Sequence, residues 1–245
     1  MVEKGFVCSL TGVSVQNFYD EGKINVLTEI QLWAIFNGTI VTLEIAIVAI
    51  VFGAIFGVVV ALGRLSKNKV ANALSWFYIW FFRGTPLLLQ LFIIYYAIPI
   101  IYLDATGITF EINPMICAFV AFSLNATAYL AEIIRAAIES IDGGQMEAAK
   151  ALGMSYRQAM TKIIIPQTYK RLVAPLGNEL IMLLKDTSLV STIALFDLLR
   201  TTKTMASATG SWIYYIYAAA IYLFLTTIIQ VVFDIMEKKL GIYER

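Results

Sequence analysis

Residues 147–166 read EAAKALGMSYRQAMTKIIIP, a polar stretch enclosed by chain that is otherwise strongly apolar. Just upstream, Asp142, Gly143 and Gly144 predict a turn with a side chain placed to cap a helix. A helix is expected from about Gln145 to Leu152, closed at Gly153, the residue type that enters the left-handed region without a Cβ penalty. Ser155 and Gln158 have the spacing of a capping box and open a second helix, which Pro166 is expected to stop or kink. The segment thus reads as a short helix, a tight turn and another helix. Ala148, Ala149 and Ala151 keep the first helix slim, so another protein's surface can approach its backbone closely. It has the form of a peg for a cleft.

The chain around the peg sets the class. Its 245 residues include only 14% charged ones, and the mean hydropathy is +0.78. That is far too apolar for a soluble domain of this size, so an all-α polytopic membrane protein is expected. There is no histidine, which removes His-dependent triads and His-ligated metal sites. Cys8 and Cys117 are the only cysteines and form no CxxC site. No catalytic or metal-binding residue is expected. Nucleic-acid binding has no basic, aromatic-bearing surface to rest on, and no Gly-rich nucleotide loop with a following lysine occurs. If ATP drives this protein, another chain binds it.

Five spans follow from the apolar runs. Residues 1–31 carry Glu3, Lys4, Asp20, Glu21 and Lys23, lack the pattern of a signal peptide, and are expected to form an external tail or surface helix. Residues 32–245 form the membrane domain. The first span is 33–62, with a Gly53-x-x-x-Gly57 step suited to ordinary close helix packing. The second apolar run, 71–103, exceeds the ~20 residues a crossing needs and is expected to break at Arg83-Gly84-Thr85-Pro86. An acidic loop at 104–114 precedes a third span at 115–137. The peg loop, about 140–166, lies between the third span and a fourth at 172–195, and a connector at 200–211 leads to the fifth at 212–236. Of 18 Lys and Arg, only Lys4, Lys23, Arg200 and Lys203 fall on the side away from the peg, and Arg83 and Lys185 fall within spans. The positive-inside bias puts the peg and the C-terminus in the cytoplasm and the N-terminus outside.

Glu147-Ala148-Ala149, Gly153, Ile163, Ile165 and Pro166 stand at the spacing of the cytoplasmic loop motif of ATP-binding cassette importer permeases, which the chain resembles. RGTPLLLQ at 83–90, AEIIRAAIESI at 131–141 and LLKDTSL at 183–189 look like the polar amino acid uptake branch. The resemblance covers roughly 35–242. It implies a type I importer permease fold of five transmembrane helices, with the peg as a coupling helix between helices three and four. Glu147, Ala148, Ala149, Leu152 and Gly153 would meet the ATPase. It further implies a subunit of a bacterial inner-membrane importer that binds no cofactor itself, while ATP and Mg sit on a partner ATPase. An external amino acid binding protein is the other implied partner. A five-span unit is too small for a gated path, so a second permease copy is expected, identical or similar.

Ionisable side chains within spans cost about 3 kcal/mol or more each, which makes Arg83, Glu179, Lys185 and Asp186 functional candidates. Glu179 and Asp186 are seven residues apart and project from nearly one helix face, an acidic stripe about 10 Å long, with Lys185 pointing away. Thr85 and Pro86 are placed to start a half-helix whose N-terminus would hold a substrate carboxylate. Gln90, Ser123 and Asn125 would add neutral hydrogen bonds. This favours arginine, lysine or histidine as substrate, with glutamine or glutamate as the alternative. The same four charges also suit an internal ion-pair network that only orients helices. An ion-coupled secondary transporter would show repeated halves, and none is evident. An intramembrane hydrolase would need a serine working with Lys185, or an aspartate pair, without any histidine.

Overall fold

The computed structural model describes residues 27–240, and within them the chain is helical with no strand. Most of the expected 1–31 tail, with Cys8, lies outside the described residues. Helix α1 (Glu29–Arg64) starts before the expected Trp33, because Thr28 and Gln31 form a reciprocal capping box. Asn68 caps α2 (Lys69–Gly84), accepting from the amides of Val70 and Ala71. The second apolar run breaks where the Gly-Thr-Pro sequence stands. Beyond it α3 (Leu87–Phe92), a π-helical turn (Ile93–Ala97) and α4 (Ile98–Thr106) follow without interruption. Asn113 caps α5 (Pro114–Glu139).

After the loop helices α6 (Gly143–Ala151) and α7 (Tyr156–Ala159), a second π-helical turn (Met160–Ile164) runs directly into α8 (Ile165–Asp186). Pro166 therefore neither stops nor interrupts the helical path. A proline has no N–H for the residue four before it, and the wider π turn relieves the clash its ring would cause. The same device precedes Pro99. A 3-10 segment (Thr187–Ile193) ends at Ala194, which adopts φ 64°, and Asp197 then caps α9 (Leu198–Thr209) through the amides of Leu199 and Arg200. The expected 200–211 connector is thus largely a helix. Helix α10 (Ile213–Lys239) closes the described chain.

Four segments are long and apolar enough to cross a membrane: α1, the 87–106 rod, α5 and α10. The expected fourth span is not among them, since α8 carries Lys170, Arg171, Glu179, Lys185 and Asp186. Of these charges Glu179 and Asp186 face an internal cavity, whereas Lys170, Arg171 and Lys185 are exposed.

The core lies where α1, α3, α5, the end of α8 and the 3-10 segment meet. Ile45, Leu91, Phe122, Leu183 and Ile193 are buried there. The α1–α5 contact is the tightest of these. A Cβ on Gly53 would stand 2.8 Å from the Ala126 Cβ, and one on Gly57 would stand 3.1 Å from the Leu130 Cβ. Gly53-x-x-x-Gly57 is therefore an internal packing step. Gly53→Leu is expected to destabilise the fold by about 1–3 kcal/mol through overpacking. Thermal unfolding of the solubilised chain checks this against Val58→Leu, a change at an exposed apolar position. Equal melting temperatures for the two would refute it.

Candidate substrate cavity and docking loop

A cavity of about 370 Å³ opens between the α2–α3 break, α5 and α8, within the range of small-molecule sites. Thr85, Asn125, Glu179 and Asp186 all line it, so the fold brings together residues from three sequence-distant segments. Glu179 and Asp186 share this wall as the seven-residue spacing predicts, with Met182 and Leu183 between them. Lys185 is exposed on another face. Among the described residues, neither carboxylate forms an ion pair. The proposed four-charge network is therefore absent there: Arg83 lies 3.7 Å from Glu132 of α5 instead.

Gln90 sits behind the cavity. It is 4% exposed, and its Nε2 donates to the carbonyls of Phe82 (2.9 Å) and Thr85 (3.0 Å) and to Thr85 Oγ1 (2.8 Å). Its Oε1 accepts from Asn125 Nδ2 at 3.1 Å. Gln90 and Asn125 thus hold the chain break against α5, satisfying carbonyls that the interrupted helix leaves without partners. Thr85 does not cap α3. Its hydroxyl donates back to Phe81 at 2.9 Å, and Pro86 precedes the first turn without any side-chain cap. The helical rod that starts at Leu87 runs on through the π turn to Thr106.

Ser123 is the candidate that the fold places elsewhere. Two residues from Asn125 is about 200° around a helix. Accordingly it lines a separate apolar cleft with Phe52, Phe56 and Tyr78. Tyr129, Met182 and Glu132 escaped the sequence reading. Asn125, Tyr129 and Glu132 recur at helical spacing on one face of α5, which was the available signal.

In the peg loop, Asp142 caps α6 by accepting from the Gly144 amide at 2.7 Å. The helix ends in a Schellman arrangement: the Met154 amide bonds the Ala149 carbonyl (3.0 Å), and the Gly153 amide bonds that of Lys150 (2.9 Å). Gly153 takes φ 80°, where a Cβ is strained. The Ser155–Gln158 capping box forms as its spacing predicts. Glu147, Ala148, Leu152 and Gly153 are exposed, with Leu152 at 82%. Ala149 is not part of that outer face. It is 1% exposed, because its side of α6 packs on the following helical turn.

A family profile described as "Binding-protein-dependent transport system inner membrane component" matches residues 49–242. A protein of Rickettsia bellii, provisionally named as a glutamine transport system permease, is 39% identical over 207 residues, covering 84% of this chain and 92% of that one. The arginine transport system permease protein of Bacillus subtilis is 38% identical over 211 residues, covering 86% and 94%. A crystal structure of an amino acid ABC transporter with histidines superposes with a TM-score of 0.79 at 35% identity, covering 89% of this chain and all of that one.

Proposed function

The chain belongs to the binding-protein-dependent transport system inner membrane components, and on that premise we propose that it passes cationic amino acids through the cavity walled by Glu179 and Asp186. It is a permease subunit of an amino acid ATP-binding cassette importer, a transport component rather than an enzyme. The observation that supports the cationic reading is the pair of carboxylates facing one cavity, with no Lys or Arg paired to either among the described residues. Two carboxylates taken out of bulk water are stabilised by positive partners. The α-ammonium and a cationic side chain of arginine or lysine supply both.

In this scheme ATP and Mg are bound by a partner ATPase, and an external binding protein delivers the amino acid. A second permease copy completes the path. The peg loop and C-terminus face the cytoplasm and the N-terminus faces outward, by the positive-inside bias. Closure of the ATPases moves the peg loops together and reorients the spans about the cavity.

The test is ATP-driven uptake of labelled arginine into proteoliposomes holding this chain with its ATPase and binding protein. Unlabelled lysine, histidine, glutamine and glutamate serve as competitors. Competition confined to the cationic amino acids is the expected result. Competition by glutamine would keep the permease role and remove the cationic preference; the relative of Rickettsia bellii provisionally named for glutamine makes that outcome the second reading.

A further inference from the structure

Three charged side chains line the cavity, and transport of a cationic amino acid uses only two of them. The third is Arg83, one residue before the α2–α3 break. Its contact with Glu132 at 3.7 Å is longer than a hydrogen bond. Glu132 is already engaged by the fork of Arg135, with Nε to Oε2 at 2.9 Å and Nη2 to Oε1 at 2.6 Å. Among the described residues Arg83 donates no hydrogen bond. The Tyr129 ring supports its guanidinium from the face, 5.4 Å from centroid to Cζ, which leaves the N–H edge free.

The geometry points to Arg83 as the residue that binds the α-carboxylate of the transported amino acid. The carboxylate needs a donor in this cavity, and two of its neutral side chains are already engaged. The Thr85 hydroxyl donates to Phe81, and the Asn125 amide is turned to Gln90 and Phe82. A guanidinium with free N–H groups fits a carboxylate in two parallel bonds. The charges then mirror the substrate: two carboxylates for the ammonium and the side-chain cation, one guanidinium for the carboxylate.

Arg83, Gly84 and Tyr129 also border a second cavity of about 510 Å³, which Arg64, Glu132 and Arg135 help to line. The carboxylate anchor therefore stands at the junction of the two spaces, where Glu132 competes for it. Arg83 stands 3.7 Å from Glu132, and a substrate carboxylate would compete with that contact.

This inference rests on the cavity being the amino acid site, and the experiment separates the two claims. Equilibrium binding is measured on the permease with its ATPase subunits in nanodiscs, without the binding protein. Arginine is compared with agmatine, which is arginine lacking its carboxylate. Wild type is expected to prefer arginine by roughly 10- to 100-fold, the range for charge-assisted hydrogen bonds. Arg83→Gln is expected to weaken arginine by about that factor and agmatine by less than about 3-fold, with Arg83→Lys intermediate.

Equal losses for arginine and agmatine in Arg83→Gln would make Arg83 a counter-ion and overturn the assignment. So would a wild type that does not distinguish the two. If wild type binds glutamine and not arginine, the cationic preference has failed, and glutamine against 4-aminobutanamide decides Arg83 separately. Carboxylate dependence lost in Arg83→Gln supports the assignment, and carboxylate dependence retained overturns it.

Discussion

Glu179→Gln is expected to weaken arginine binding by on the order of 30-fold or more, about 2 kcal/mol or above, while citrulline binding changes little. The substitution keeps shape and volume and removes one charge. Glu179 is only 7% exposed, so water screens its field weakly, and a substrate cation beside it loses a partner that solvent does not replace. Citrulline has the size of arginine with a neutral side chain, so it reads the cavity's shape without its charge. Asp186→Asn is expected to act in the same direction with a smaller effect, because Asp186 is half-buried and better hydrated. Binding of both ligands to the nanodisc complex checks this. Equal losses for arginine and citrulline would mean that Glu179 supports the helix arrangement and does not read the side chain.

Much of this cavity was legible in the sequence because its key spacing lies within one helix. Seven residues return to nearly the same face, and Glu179 and Asp186 face one space. The break at Gly84-Thr85-Pro86 was legible for a similar reason, since proline acts on its own immediate neighbours. The loop caps at Asp142, Gly153 and Ser155 are local too, and all three form where their spacing puts them.

What the sequence left hidden depends on contacts between distant segments. Nothing near Gln90 announces that it bonds Asn125, 35 residues away, and so works behind the cavity wall. Nothing near Arg83 announces Glu132. Ser123 was the avoidable error, since its angle from Asn125 already placed it on the opposite face of α5. The π turn before Pro166 and the helix α9 were hidden for another reason. Proline rules describe an α-helix, and a π turn escapes them. The Arg200–Ser211 stretch is polar enough to resemble a loop, yet it packs one face on α1 and α10. The inward turn of Ala149 belongs with these, because which side of a two-turn helix is outer depends on what packs beneath it.

That last point decides how the peg is to be tested. Leu152→Asp is expected to lower ATP-driven uptake by more than about 10-fold while leaving arginine binding and the melting temperature of the permease unchanged. Leu152 is 82% exposed at the end of α6, an apolar side chain on a polar loop. Seating it in a partner's groove would recover roughly 1.5–3 kcal/mol of burial, which an aspartate forfeits together with its own desolvation cost. Bulky residues at Ala149 or Gly153 are poorer probes. The first is buried within this chain, and the second holds φ 80°, where a side chain costs about 1–2 kcal/mol and unsettles the Schellman turn. Either would disturb the loop before any partner met it. Leu152→Asp touches only the outer face, and stimulation of the ATPase by loaded binding protein reads its effect directly. Undiminished stimulation and uptake in that variant would show that this face does not carry the coupling.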